Sequence, residues 1–163
     1  MAGPIALTDA ALDAELSAAL RERGHRVTLP RLLVHRHLRR REGHLTPEQL
    51  HSELSPLLPS LSPATIYGTL DLLDELGFVR RVSTPRGTAV YDPRVAPHHH
   101  VICRGCGRIQ DIEAPVDSAA AERAARGAGF TVDHGQLQLS GLCADCANGP
   151  VATSPSGPRD HAA

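Results

Sequence analysis

The sequence predicts an α+β chain: an N-terminal winged helix-turn-helix domain, then a small C-terminal α/β lobe closed by a four-cysteine zinc site. Three observations carry this. Four capped amphipathic segments are followed by two short β-type runs joined by a turn. A break rich in proline then separates that half from a stretch of different character. All four cysteines fall beyond the break, as Cys103-x-x-Cys106 and Cys143-x-x-Cys146.

Leu7 to Glu22 reads as a helix capped by Thr8 or Asp9, with Leu12, Leu16 and Leu20 at i+4 spacing and Gly24 as its stop. Thr28 caps a second helix from Leu29 to about Arg41, with Pro30 in the first turn, where no amide is needed. Thr46-Pro47-Glu48-Gln49 starts a third, Gln49 being placed to close a capping box onto Thr46. After a Pro59-Ser60 turn, Ser62-Pro63 opens a fourth helix through Ile66, Leu70, Leu73 and Leu76 to Gly77. Phe78–Ser83 and Thr88–Tyr91 are strands joined by the turn Thr84-Pro85-Arg86-Gly87. Short helices closed by such a hairpin make the winged helix-turn-helix pattern. In the second lobe, Val101–Ile102 and Ile109–Ile112 flank a Cys/Gly-rich turn, and Val116–Ala128 is a small Ala-rich helix. Phe130–Val132 and Leu137–Ser140 read as further strands. The expected domains are 1–92 (winged helix with an N-terminal extension), 93–97 (hinge), 98–147 (dimerisation and metal binding) and 148–163 (a disordered Gly/Pro/Ser/Ala tail).

Bulk composition narrows the class. The chain has 163 residues, 2% of them aromatic and none of them Trp, so its core is Ala/Leu/Val and thin, and a metal cross-link would help a small lobe. No run approaches a membrane span and the N-terminus lacks a basic signal region, so a cytoplasmic chain is expected. The net charge of −1 is uninformative, but its distribution is not. All 17 basic side chains are Arg; residues 21–41 hold eight of them against one acid, whereas residues 98–163 hold five against seven acids. A polyanion partner should therefore meet the N-terminal half.

Two CxxC knuckles supply four thiolates that can close a tetrahedron around Zn²⁺, and the 36 residues between them hold a helix and two strands. A disulfide framework is the alternative, which a cytosolic setting disfavours. The run His98-His99-His100 precedes the first knuckle. On an extended segment His98 and His100 point one way and His99 the other, so the first two form a metal pincer. Asp92 lies just before them, Asp111 lies on the facing strand, and His44, in the loop before the third helix, could close over the site.

The motifs Arg26-Val-Thr-Leu-Pro-Arg31, Gly-His44-Leu-Thr, Thr65-Ile66-Tyr67, Tyr-Asp92-Pro, His98-His-His100-Val-Ile-Cys103-x-x-Cys106-Gly-x-Ile-x-Asp111 and Gly-Leu-Cys143-x-x-Cys146 resemble, in order and spacing, the ferric uptake regulator family. The resemblance covers about residues 10–147. It implies a metal-dependent, homodimeric repressor of double-stranded DNA with a palindromic operator. It implies structural Zn²⁺ on Cys103, Cys106, Cys143 and Cys146, and regulatory Fe²⁺ or Mn²⁺ on His44, Asp92, His98, His100 and Asp111. Tyr67 matches a base-contacting tyrosine and Arg31 a backbone-contacting arginine; Arg21, Arg23, Arg26 and Thr65 are further candidates for the DNA face. Asp at position 111 resembles the peroxide-sensing branch, which implies His44 and His98 as oxidation-sensitive, with an iron-uptake or other metal-homeostasis repressor as the alternative. A non-haem iron enzyme or a zinc-stabilised interaction module is the remote alternative. His99 and His134 are candidates for an additional metal site.

Overall fold

The computed structural model describes residues 8–148 apart from Glu42, Arg86, Val116 and His134. Helix α1 (Asp9–Glu22) starts at Thr8, whose Oγ1 accepts from the Ala11 N–H, and it buries Leu12, Leu16 and Leu20. Gly24, at φ +74°, turns the chain toward α2 (Leu29–Arg40). Thr28 has the extended backbone of a cap, but its side chain makes no capping bond there. Helix α3 (Pro47–Leu54) carries the full capping box: Thr46 Oγ1 accepts from the Gln49 N–H at 3.2 Å, and Gln49 Oε1 from the Thr46 N–H at 2.8 Å. Helix α4 (Pro63–Glu75), capped by Ser62, buries Ile66, Leu70 and Leu73 and packs on both α2 and α3. The wing follows as antiparallel β1 (Arg80–Ser83) and β2 (Ala89–Asp92). Strand β1 begins two residues later than the pattern suggests, because the Phe78 N–H bonds back to the Leu73 carbonyl and closes the end of α4. One apolar core joins α1 to α4, from Leu16 and Leu20 through Val34, Leu38, Leu50 and Leu54 to Ile66, Leu70 and Tyr91.

The second lobe is a three-stranded sheet, order β4-β3-β5, from β3 (His99–Cys103), β4 (Ile109–Ile112) and β5 (Gln138–Gly141). Strand β4 is antiparallel to β3 and β5 is parallel to it. The connection carries α5 (Ala119–Gly127), and α6 (Ala144–Asn148) follows β5. Three sequence expectations are corrected here. Residues 130–132 are not a strand: the Phe130 N–H bonds to the Ala125 carbonyl at the end of α5, and no described strand pairs with the segment. Helix α5 starts at Ala119, with Asp117 Oδ1 accepting from the Ala119 N–H, rather than at Val116. Asn148 is the last residue of α6 and does not open a tail. Leu7, Arg86, Val116, His134 and residues 149–163 lie outside the described residues.

The lobes touch through the wing. Val82 and Val90 pack on Ile102 and Ile109, the Arg80 Nε–H donates to the Val95 carbonyl at 2.9 Å, and Gln138 Nε2 donates to the Ser83 carbonyl at 3.3 Å. Among the described residues no helix is long and apolar enough to cross a membrane.

Candidate metal centres and nucleic-acid interface

Strand β3 ends at Cys103, the knuckle turn brings back Cys106, and α6 presents Cys146 just after Cys143, so the four Sγ atoms converge to within 4.8 Å of one another. All four are free thiols. The Cys106–Cys143 sulfur separation is 3.8 Å, the edge of a tetrahedron with Zn–S bonds of about 2.3 Å. Backbone N–H groups of Cys143 and Cys106 point at the Cys103 sulfur and lower its pKa to about 6. Cys146, held by Cys143 and then by Cys103 and Cys106, is pushed up to about 12. Four sulfurs this close cannot all ionise without a cation among them, and Zn²⁺ fits that donor set. The knuckle has no room for a side chain at Gly105: a Cβ there would meet the Cys146 Cβ and Sγ at 2.9 Å.

The second cluster is assembled from three places. An isolated antiparallel bridge, Leu45 N–H to the Tyr91 carbonyl (3.1 Å) and the reciprocal bond (2.8 Å), lays His44 beside Asp92 at the end of β2. Side-chain alternation turns His98 and His100 inward, whereas His99 Nδ1 faces out and accepts from the Leu137 N–H. The β3–β4 register pairs His100 with Asp111. His98 Nε2 lies 2.8 Å from His100 Nε2 and 2.8 Å from Asp92 Oδ2. Asp111 Oδ1 stands 3.5 Å from His44 Nε2 and 3.6 Å from both His98 and His100 Nε2. Donors bonded to one six-coordinate ion lie about 3 Å apart, so five donors at these separations match a shared cation.

Hydrogen bonding supports the same fit. His98 Nδ1 donates to the Ala96 carbonyl at 2.8 Å, which leaves Nε2 as a lone pair aimed at the cluster. His44 Nε2 and Asp111 Oδ1 are buried without a hydrogen-bond partner, and a cation shared with the other donors would satisfy both. Burial, then the neighbouring His44 and His98, depresses the His100 pKa. Burial acts to raise Asp92, but the adjacent His44 and the Arg94 N–H outweigh it, and its pKa falls. Neutral imidazoles beside ionised carboxylates are the forms that bind a divalent cation.

In the N-terminal lobe, α3, its turn and α4 form the helix-turn-helix. Tyr67 projects from α4, 43% exposed, and its hydroxyl donates to Glu48 Oε1 at 2.5 Å. That bond raises the Tyr67 pKa and lowers that of Glu48. Arg26, Arg31 and Thr65 line one cleft of about 480 Å³ together with His25 and Gly68, and Arg31 Nη1 donates to the Arg26 carbonyl. Arg23, at the C-cap of α1, and Tyr67 do not line that cleft.

The sequence profile of the ferric uptake regulator family matches residues 22–140, more than half of the chain. The chain belongs to the ferric uptake regulator family. It is 31% identical over 132 residues to the peroxide-responsive repressor PerR of Staphylococcus epidermidis, covering 81% of this chain and 88% of that one. Its fold is similar to that of the Helicobacter pylori ferric uptake regulator, with TM-score 0.74, 19% identity and coverage of 88% and 97% of the two chains. It is also similar to a zinc uptake regulator whose structure holds zinc and DNA: TM-score 0.60, 26% identity, 86% and 96% covered. Membership places the chain among metal-dependent transcription regulators rather than enzymes.

Within this family member, the structure brings His44, Asp92, His98, His100 and Asp111 together and the four cysteines together. It does not bring His99 into either cluster. Sequence reasoning missed Gln136, whose amide lies 2.6 Å from His100 Nδ1, and Arg94, which contacts both carboxylates. It also missed Glu48 as the partner of Tyr67. Only Gly105 had a local signal, as a glycine between knuckle cysteines.

Proposed function

We propose that this chain is a homodimeric, metal-dependent repressor that binds a palindromic operator and senses peroxide through oxidation of a ligand histidine. The observation that carries it is the cluster of His44, Asp92, His98 and His100 with Asp111 beside it, shared between the lobes, with two of the five donor atoms buried and unpartnered. His44 and Asp92 belong to the winged-helix half, residues 1–92. His98, His100 and Asp111 belong to the second lobe, residues 98–147, across the hinge at 93–97. Holding all five on one Fe²⁺ or Mn²⁺ favours one angle between the lobes, and that differential affinity couples metal to DNA. Structural Zn²⁺ on Cys103, Cys106, Cys143 and Cys146 keeps the second lobe folded. Tyr67 reaches base edges from α4, while Arg23, Arg26, Arg31 and Thr65 lie toward phosphates. Its likeness to a regulator solved with zinc and DNA supports this face.

Dimerisation is supported by an uncovered apolar surface on the small lobe. Phe130, Leu137, Leu139 and Leu142 are 69%, 37%, 45% and 45% exposed, α5 buries no residue, and β5 lies at the edge of its sheet. A second copy of the same surface, related by a two-fold axis, would cover it.

Held by His44, Asp92, His98, His100 and Asp111, Fe²⁺ would supply the redox chemistry that lets peroxide oxidise a neighbouring imidazole, His44 or His98, by two electrons overall. The net result is one oxygen atom added to an imidazole and one water released; the altered ring ligates poorly, the lobes lose their common anchor, and DNA is released. Mn²⁺, which does not drive this chemistry readily, holds DNA through peroxide. The peroxide-responsive relatives support this branch. The test treats the Fe²⁺ and Mn²⁺ forms with peroxide and follows peptide mass and DNA binding. Oxidation of His44 or His98 only with iron is expected. An iron form that keeps its DNA with both histidines intact makes this an iron-uptake type regulator instead.

A further inference from the structure

We infer that Arg94 is a positioning residue of the His/Asp centre, fixing which single oxygen of each carboxylate faces the metal. The inference rests on the reading of that centre as the regulatory metal site. Arg94 follows Asp92 by two residues, and its backbone N–H donates to Asp92 Oδ1 at 2.8 Å. The other oxygen, Oδ2, is thereby turned to His98 and His100 at 2.8 and 3.3 Å. The guanidinium of the same residue reaches Asp111 from outside: Nη1 is 3.6 Å from Oδ2, and it is anchored at 2.7 Å by Glu113 Oε1. Asp111 Oδ1 is left facing the three imidazoles. One residue therefore hydrogen-bonds the outer oxygen of Asp92 through its backbone and sets its positive charge beside the outer oxygen of Asp111.

Each carboxylate then offers one oxygen, and three imidazoles add three nitrogens, so five donors leave one position on a six-coordinate ion. The segment bearing Arg94 is itself tied down, since the Arg80 side chain donates to the Val95 carbonyl. Arg94 also lines a cleft of about 750 Å³ with Arg39, Arg41, Asp92, Asp111 and Glu113, on the solvent side of the centre. The side chain is 42% exposed, so the fold does not depend on burying it. Two roles for this cation make opposite predictions. A cation that acts only by its charge repels the metal, and removing it would tighten binding. A cation that orients ligands is needed for binding, and removing it weakens binding.

The experiment uses the zinc-containing full chain as wild type, Arg94→Ala, Arg94→Lys and Glu113→Gln. Mn²⁺ affinity is measured by calorimetry, and the ligand field is read from the visible absorption of Co²⁺ added at the same centre. Arg94→Ala is expected to bind Mn²⁺ ten- to a hundred-fold more weakly, the usual cost of losing an outer partner of a metal ligand. Arg94→Lys keeps the charge and the backbone N–H but moves the donor from the Nη1 position that meets both Glu113 and Asp111, so it should also bind more weakly. The Co²⁺ band should lose intensity in Arg94→Ala and Glu113→Gln, as a freed Asp111 adds its second oxygen and raises the coordination number. A Co²⁺ spectrum that superimposes on wild type in Arg94→Ala overturns the inference whatever the affinity does, and so does unchanged or tighter Mn²⁺ binding. These readouts do not involve peroxide or DNA, so they stand apart from the test of the sensing reaction. Wild-type protein that binds no Co²⁺ beyond its cysteines would overturn the reading of the centre and the role of Arg94 together.

Discussion

Replacing Gly105 by Ala adds one methyl group at the tightest point of the cysteine knuckle. The new carbon would stand 2.9 Å from both Cβ and Sγ of Cys146 and 3.2 Å from Leu142 Cδ2. Ordinary carbon contacts lie at about 3.5–4.0 Å, so Cys146 must retreat by roughly 0.5–1 Å. Zn–S bonds tolerate only about 0.2 Å, which means the knuckle opens or one of four bonds is lost. Overpacking of this kind costs about 1–3 kcal/mol, which converts to roughly 5- to 150-fold in zinc affinity. The backbone at Gly105 is not in the left-handed region, so the effect is contact alone. A chelator competition with a chromogenic dye measures it, with thermal unfolding alongside. Gly127→Ala at the end of α5, where a Cβ meets nothing within 4 Å, is the control and should retain zinc as wild type does. If Gly105→Ala holds zinc as tightly as wild type, the close approach of Cys146 is wrong and the argument for the knuckle fails.

Further outcomes test other parts of the molecule. His35 is fully buried with neither ring nitrogen hydrogen-bonded, and burial, then Arg39, lowers its pKa from 6.5 to about 4. The unfolded chain therefore takes the proton first as pH falls from 6.5 toward 4, and stability drops across that window by up to about 3 kcal/mol. Urea unfolding of wild type and His35→Leu between pH 7 and 4 should show a shallower pH slope in the variant; identical slopes contradict the assignment. Tyr67→Ala should reduce discrimination among sites in a binding-site selection. Arg26→Ala and Arg31→Ala should instead weaken all sequences alike and flatten the salt dependence by about one each. Leu139→Glu on β5 should convert a dimer to a folded monomer by sedimentation, and an unchanged dimer would place the interface elsewhere.

Helix starts were legible because a cap depends on side chains within three residues of it: Thr8, Ser62 and the Thr46/Gln49 pair all make the bonds their positions suggest. Thr28 shows the limit of that logic, since extended backbone at a cap does not oblige the hydroxyl to bond. Residues 130–132 show another. A β-type run needs a neighbour to pair with, and none of the described strands reaches it.

The sequence alone determined the chemistry of the two metal centres, because ligand type and local spacing are properties of adjacent residues. Two CxxC knuckles specify four thiolates, and alternation along an extended chain puts His98 and His100 on one side. Tertiary structure alone decided the rest. His44 reaches Asp92 through the Leu45–Tyr91 bridge, Asp111 faces His100 through the β3–β4 register, and Arg94 spans both carboxylates. Bridge, register and span are pairings between segments distant in the chain. A one-residue slip in the β3–β4 pairing would turn Asp111 to the other face, and no local preference for helix or strand distinguishes the two alignments. What distinguishes them is the packing of Ile109, on the same face of β4 as Asp111, against Val82, Val90 and Ile102, which exists only once the wing and the second lobe have met.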